Sequence, residues 1–400
     1  MPLEIGVVAP PAADAVRRAE ALGVDSLWVG GHLASPHPSP EAMVWLARLV
    51  EQAQRAAVGT ATLVLPWYAP AVVAKQLADL DRASGGRLIV GVGAGGEYPE
   101  DFKAAGVPIG ERFTRLDESI GLLRRFWSAE PVHHDGRHFH YDGLRILPQP
   151  ARPGGPPIVV TGRKVGAMRR AALSADGWMP YLYSAERYAR SVATINEIAA
   201  ENGRSLDAFR WMSYLMVAVD DDPETARRAA TEFLGGTYDQ DFSRFVERVA
   251  VTGNLDQVVE GLAAFVESGA RHLVLLPCTV APSPEMAPWL PALLTELREL
   301  RVAQGGEGPR RESAGSAGSA GSAGSAGDVS KNCQRTRLGL RFHPGISGEA
   351  SSPNRQAHAR WGPVLVDPPD DVSEGRAVGP QHTARFGSRR TNPRPAQSSK

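Results

Sequence analysis

The chain has 400 residues, 42% of them hydrophobic and 22% charged, with 44 basic and 44 acidic side chains. This excludes a collagen-like or wholly disordered chain and allows one large domain or a few average ones. The zero net charge is a sum of unlike parts: residues 301–400 carry 15 Lys and Arg against 8 Asp and Glu, and residues 1–300 carry 29 against 36.

Short apolar runs and helical patterns alternate over the first 300 residues. Strands are expected at 3–8, 26–29, 58–65, 87–93, 157–161, 177–180, 211–219 and 272–276. Helical patterns lie between them, at 12–22, 42–56, 71–83, 112–127, 164–173, 185–201, 224–234 and 255–267, with a last one at 285–300. Eight strands interleaved with helices predict an α/β fold, a (β/α)8 TIM barrel. An open doubly wound sheet competes, but strand count and length favour the barrel. One segment breaks the alternation. Residues 133–142 read as a small hairpin around Asp135 and Gly136, and 148–157 hold five Pro and two Gly. Together they form a small insertion after the fourth helix of this series.

Five Ser-Ala-Gly units follow at 313–327, then a Pro-, Gly-, Ser- and Arg-rich stretch to Lys400. Without apolar runs to offset ordering entropy, this reads as a disordered C-terminal tail. The expected boundary puts the catalytic unit at 1–302 and a basic low-complexity tail at 303–400. The tail has few aromatics and no recognition module, so no nucleic-acid partner is expected.

Cys278 and Cys333 are the only cysteines, one in each part. That excludes a disulfide framework and makes a reducing compartment, the cytoplasm, the expectation. The N-terminus has no basic and apolar leader, and no apolar run approaches the ~20 residues that cross a bilayer. Neither a signal peptide nor a membrane partner is expected.

Residues 91–96 read GVGAGG and contain a formal G-x-G-x-x-G. A dinucleotide fingerprint needs a helix opening directly on it, but Glu97, Tyr98, Pro99 and Glu100 intervene and a clear helical pattern starts only near Arg112. The run is better read as a Gly-rich βα loop giving a ligand access to backbone. His32 lies just past the second strand, at the C-terminal rim where barrels do chemistry. There an imidazole can donate a hydrogen bond or move a proton near neutral pH. Gly162, Arg163 and Lys164 follow the fifth strand and open a helix, which suits a phosphate. His133, His134, His138 and His140 crowd the hairpin, but no Cys or Glu joins them at metal-ligand spacing, so no metal is expected.

The run 77–95, LADLDRASGGRLIVGVGAG, closely resembles the luciferase-like monooxygenase superfamily. So do 106–112 (GVPIGER), 148–150 (PQP), 155–158 (GPPI) and 175–178 (ADGW), in the same order. The resemblance covers roughly residues 3–300. It implies a barrel that binds reduced FMN or the deazaflavin coenzyme F420 at its C-terminal mouth, and the sequence looks most like the F420-dependent branch. The excess of Arg over Lys, 39 to 5, fits that branch through GC-rich genomes. Carried over, His32 matches the rim histidine, a proton donor or ring contact. Ala61 and Thr62 match a third-strand position that often holds a non-prolyl cis peptide against the ring. Ala94 and Gly95 match the loop beside the ring, and Gly162 and Arg163 the loop at the phosphate end.

Three departures stand out. Gly31 replaces the acid common before the rim histidine, so the imidazole is expected to lack a carboxylate neighbour. Gly96 stands where sugar-phosphate dehydrogenases carry an acid, with Glu97 one position off. The aromatic that other members carry at that position is also absent. The activity expected is hydride transfer between F420 and a small organic substrate. The alternatives are an FMN-dependent monooxygenase, which needs a partner reductase, and a barrel that binds flavin without turnover. Dimerisation is common in the family, and the resemblance allows a homodimer here. Trp67, Tyr68, Tyr98, Tyr181 and Tyr183 are expected to shape the substrate pocket.

Overall fold

In the computed structural model, residues 2–8, 13–278 and 287–305 are described. Eight parallel strands follow one another around a closed ring: β1 (Glu4–Val8), β2 (Ser26–Val29), β3 (Ala57–Thr60), with β4 (Leu63–Val64) continuing its path, β5 (Leu88–Gly93), then β8 (Ile158–Thr161), β9 (Gly177–Met179), β10 (Arg210–Val219) and β12 (His272–Pro277). β1 pairs with β12 through Glu4 opposite His272, and β9 pairs with β10 through Gly177 opposite Arg210, which closes the sheet. The expected TIM barrel is the observed fold.

The helices carry one buried face each. In α2 (Ala42–Gln52) it is Trp45, Leu46, Leu49 and Val50, and Glu41 caps the first turn by accepting from the Val44 N–H. Asn254 and Gln257 form a capping box at α9 (Leu255–Glu267). Ser184 caps α7 (Ala185–Glu201), and Asp222 followed by Pro223 opens α8 (Pro223–Tyr238). The last helix among the described residues, α10 (Leu290–Gly305), runs past the boundary expected at 302. The tail at 306–400 lies outside the described residues. Among those residues, no helix is long and apolar enough to cross a membrane.

Most of the core lies between strands and helices. A second layer fills the barrel itself, with Trp28, Ile89, Val159, Met179, Met212 and Val274 packed together. Small residues make room for the indole. A Cβ at Gly59 would come within 2.4 Å of the Trp28 ring, and one at Gly6 within 2.6 Å of its Nε1. β5 is buried throughout, and a Cβ at Gly91 would sit 2.0 Å from the Thr60 carbonyl oxygen.

Two elements lie outside the expected series. A short helix, α4 (Pro99–Ala104), begins where the sequence suggested a break, with Pro99 at its first position. The hairpin β6 (Val132–Asp135) and β7 (His140–Leu144) is present and follows α5 (Arg112–Phe126), the helix expected to precede it, which α4 makes the fifth of the chain. β11 (Ala250–Gly253) adds a ninth parallel strand. β10 is ten residues long and reaches beyond the ring, pairing β11 through Met216 to Val219.

The hairpin histidines are pinned separately. His133 meets Asp142 at 2.8 Å, His134 meets Glu118 at 2.8 Å and His140 meets Asp135 at 2.6 Å. Glu118 also accepts from the backbone N–H groups of His138 and Phe139 at 3.0 Å, tying the hairpin to α5. Among the described residues, no cluster of His, Cys, Asp and Glu could hold a metal ion.

Candidate active site

A cavity of about 730 Å³ opens at the C-terminal ends of the barrel strands, within the range that holds a cofactor or a drug-sized ligand. All seven residues singled out from the sequence, His32, Ala61, Thr62, Ala94, Gly95, Gly162 and Arg163, line it. They come from the ends of β2, β3, β5 and β8 and share one chamber because parallel strands deliver their C-termini to the same rim.

The floor is nearly all backbone. The peptide between Ala61 and Thr62 is cis. A Cβ at Gly30 would lie 2.7 Å from the Ala61 carbonyl oxygen, so the β2 loop presses directly on this peptide. Thr62 Oγ1 donates to the Gly91 carbonyl at 3.1 Å, and Thr161 Oγ1 donates to that of Val92 at 3.1 Å. The loop after β5 turns through Gly95 and Gly96, at φ +64° and +122°, values that side chains other than glycine resist. The resulting shelf of small residues can take a planar ring.

His32 stands at the edge of this floor. Its Nδ1 lies 2.9 Å from Asp101 Oδ2, and the other carboxylate oxygen accepts from the N–H groups of Leu33 and Ala34 at 2.9 and 2.6 Å. Asp101 is 2% exposed, whereas the His32 side chain is 31% exposed. The carboxylate the sequence reading found missing is therefore supplied by α4, 69 positions away along the chain. A carboxylate acceptor at Nδ1 puts the proton of the neutral ring there and leaves Nε2 as the second ring nitrogen. Tyr98 meets the imidazole edge-on, with centroids 4.7 Å apart.

The wall beside β8 is cationic. α6 (Val165–Ser174) starts immediately after Gly162, Arg163 and Lys164, and its first turn has no side-chain cap. Arg163 lies with its guanidinium carbon 5.0 Å from the Tyr181 ring centroid. Arg170 is paired with Asp117 on α5.

The remaining lining departs further from the sequence expectation. Glu97, one position from where sugar-phosphate dehydrogenases carry an acid, lines the cavity and accepts a hydrogen bond from the Tyr181 hydroxyl. Tyr98 donates to the Thr237 carbonyl on α8. Of the five aromatics expected to shape the pocket, Tyr98 and Tyr181 line it. Trp67 instead packs edge-on against Phe102 of α4 at 5.9 Å, Tyr68 donates to Glu41, and Tyr183 donates to the Arg163 carbonyl at 3.1 Å. Tyr214, Phe233 and Tyr238 take their places. Tyr214 could have been found, because alternate residues of a barrel strand face inward, and Met212 and Met216 of the same strand are apolar. Burial first, and then the charge of Glu97, pushes the Tyr181 hydroxyl far above its ordinary value. Burial, then the neighbouring Tyr181 and Glu97, does the same at Tyr238. These phenols stay protonated donors.

Sequence comparison agrees with this architecture. The family model of the luciferase-like monooxygenases matches residues 6–272. The chain belongs to the luciferase-like monooxygenase family. Within it, the chain is 28% identical over 286 residues to an F420-dependent glucose-6-phosphate dehydrogenase of Mycobacterium tuberculosis H37Rv, covering 64% of this chain and 84% of that one. It is 29% identical over 294 residues to the enzyme of the same description from Nocardia farcinica, with the same coverage. Two solved structures share the fold. An F420-dependent secondary alcohol dehydrogenase in complex with an F420-acetone adduct superposes with a TM-score of 0.65 at 20% identity, covering 76% of this chain and 99% of that one. The FMN complex of the oxygenating constituent of 3,6-diketocamphane monooxygenase from Pseudomonas putida gives 0.59 at 20% identity, covering 74% and 97%.

Proposed function

We propose that this luciferase-like enzyme uses coenzyme F420 to transfer a hydride to or from a small organic substrate at the barrel mouth. The observation that carries this reading is that His32, held by buried Asp101, faces the same chamber as the Ala61-Thr62 floor and the α6 N-terminus. The F420-dependent relatives support the choice of coenzyme.

The residues present fit such a group. The glycine shelf leaves room for a ring, and the α6 N–H groups with Arg163 and Lys164 suit a phosphate. When bound, F420 supplies a ring carbon that exchanges hydride, and the protein supplies position and a proton route. Gly30, Ala61, Thr62, Ala94 and Gly95 would lie against the ring. Gly162 and Arg163 would hold the phosphate end.

His32 would handle the proton. With Nδ1–H committed to Asp101, Nε2 of the neutral ring can accept the proton of a substrate hydroxyl, and in the charged ring it can return one to a carbonyl oxygen. Asp101 acts through His32 and is a positioning residue. It fixes the ring's rotation and tautomer, and the two backbone N–H groups it accepts from fix the β2 loop.

The same floor and phosphate wall suit FMN, and the FMN-bound structural neighbour keeps a monooxygenase with a partner reductase as the second reading. Titration with F420 and FMN in both redox states decides between them. Tight F420 binding with weak FMN binding, and turnover without oxygen, is the expected result. Tight FMN binding with oxygen-dependent turnover would overturn it. We further expect a cytoplasmic enzyme whose catalytic unit ends near residue 302, a homodimer as its assembly, and a separate low-complexity tail. The two lone cysteines and the composition change support the compartment and the boundary.

A further inference from the structure

The phenols that line the cavity are of two kinds. The Tyr98 hydroxyl donates to the Thr237 carbonyl, and that of Tyr181 is shared between Glu97 and Arg163. Among the described residues, the hydroxyls of Tyr214 and Tyr238 make no hydrogen bond, and both residues line the cavity. Tyr188 also lacks a partner, but its hydroxyl is sealed in the core and its ring stacks on Trp178. No ligand reaches it there.

Packed elements hold the pair in place. Tyr214 sits on β10 between Met212 and Met216, and its N–H donates to the Pro180 carbonyl at 2.9 Å, which sets it beside Tyr181 of the neighbouring strand. Tyr238 ends α8, whose Ala226, Ala230 and Leu234 are buried with Met216 and Ala218 of β10. Burial above all, and then Tyr181, Glu97, Tyr214 and Tyr98, keep the Tyr238 hydroxyl protonated. Burial, and then Cys278, does so at Tyr214. Met179, Met216, Phe233 and Leu276 make the rest of this lining apolar.

A phenol that meets only apolar ligand atoms gives up its hydrogen bonds to water and gains none in return. A phenylalanine would fill the same space without that loss. The two hydroxyls therefore serve what enters the cavity and not the fold. As donors side by side in an apolar wall, they suit an oxygen that only accepts, that of an ether, an ester or a ketone.

We propose that Tyr214 and Tyr238 form an oxygen-binding subsite, and that the substrate is a largely apolar alcohol or carbonyl compound with a second, hydrogen-bond-accepting oxygen away from its reacting carbon. The reacting end lies at His32, and the second oxygen takes the two phenol hydrogens. This deepens the F420 hydride-transfer reading above and rests on it. The second oxygen takes no part in the hydride transfer. It fixes how far and in which direction the rest of the substrate extends.

The test uses a set of alkan-2-ols and their isosteres in which one methylene is replaced by an ether oxygen at successive positions, so that the span between the two ends is scanned. Binding to apo and F420-loaded full-length protein is measured by calorimetry. The tyrosine ultraviolet difference spectrum reports phenol hydrogen bonding, and kcat/KM is measured with F420. At its best position the ether is expected to bind about tenfold or more tightly than its alkanol and to shift the tyrosine spectrum. The Tyr214→Phe, Tyr238→Phe double variant should bring the two within about twofold and abolish the shift, with no fall in melting temperature. Each single variant should lose part of the preference. Ethers no better than alkanols at any position overturn the proposal. So does a preference that the double variant keeps, a fall in its melting temperature, or no binding of either series. Failure of F420 to bind overturns the coenzyme reading alone, because the apo titrations still score the preference for the second oxygen.

Discussion

The two ends of the barrel use the same residue types in opposite ways. At the floor of the barrel itself, where the strands begin, several polar groups are spent within the chain. The Glu20 carboxylate accepts from the backbone N–H groups of Gln54, Arg55 and Ala56 at 2.7–3.0 Å. Asp25 accepts from the Ile5 N–H at 2.8 Å. Ser26 Oγ accepts from Trp28 Nε1 at 2.7 Å and lies 2.7 Å from His272 Nε2. At the mouth, Asp101 accepts from two backbone N–H groups in the same way. Among the described residues, His32 Nε2 and the hydroxyls of Tyr214 and Tyr238 make no hydrogen bond, and all three residues line the cavity. An acid and a histidine side by side are therefore no signature of chemistry in this fold. His272 lies 3.0 Å from Glu4 through Nδ1 and has its other ring nitrogen on Ser26, whereas the His32 and Asp101 pair leaves one ring nitrogen beside the cavity.

The sharpest way to break this comparison is His32→Ala. Turnover with F420 should fall by about 10²–10⁴-fold, the usual contribution of a positioned acid or base, while F420 affinity stays near its original value. Turnover that survives would remove the proton role and make the two ends alike.

Asp101→Asn comes next. An amide keeps the size and can still accept from Leu33 and Ala34, but its NH₂ can donate to Nδ1 and favour the wrong tautomer. Losing orientation and tautomer control should cost about tenfold or more in kcat. KM should change little, the pH–rate profile should shift, and Asp101→Glu should restore part of the activity. A purely structural role would lower the melting temperature and leave the pH profile in place.

The floor should answer with stability instead. Burial alone would raise the Glu20 pKa, but hydrogen bonds from the Ala56, Arg55 and Gln54 backbones outweigh it and hold the carboxyl below its ordinary value of 4.5. A depressed folded-state pKa stabilises the protein above the unfolded value, and the gain is lost as pH falls through the folded value. Glu20→Gln should therefore cost about 1–3 kcal/mol at neutral pH. That gap should narrow in denaturant titrations run progressively below pH 4.5, with kcat unchanged throughout. A pH-independent gap would show that shape, not charge, is what the loop needs.

The smallest effect is expected from ending the chain after Gly305. If the catalytic unit is complete near the end of α10, melting temperature and kcat/KM should match the full chain. A loss in either would give the basic tail a part in one of the two ends.

Much of the fold was legible because barrel strands covered on both faces are continuous apolar runs, and β5 and β12 stand out for that reason. α4 was missed because six residues opening on Pro99 are too short to show a helical period. With it went Asp101, whose partner is on another strand's loop and has no spacing that sequence could reveal. Glu97 was harder to place for a related reason. A one-residue offset matters in a motif, but a glycine turn through Gly95 and Gly96 redirects the side chain, and only the folded loop shows where it points.

What the sequence determined by itself was the periodicity: alternating strands and helices, glycines where the backbone must turn or yield space, and small residues at the strand ends. These are local consequences of sterics and burial, written within a few residues of one another. The tertiary structure decided which acid serves His32, which aromatics face the ligand, and which cations remain on one wall. Those depend on loops converging at one rim from positions far apart in the chain, and on which polar groups find partners there before a ligand does.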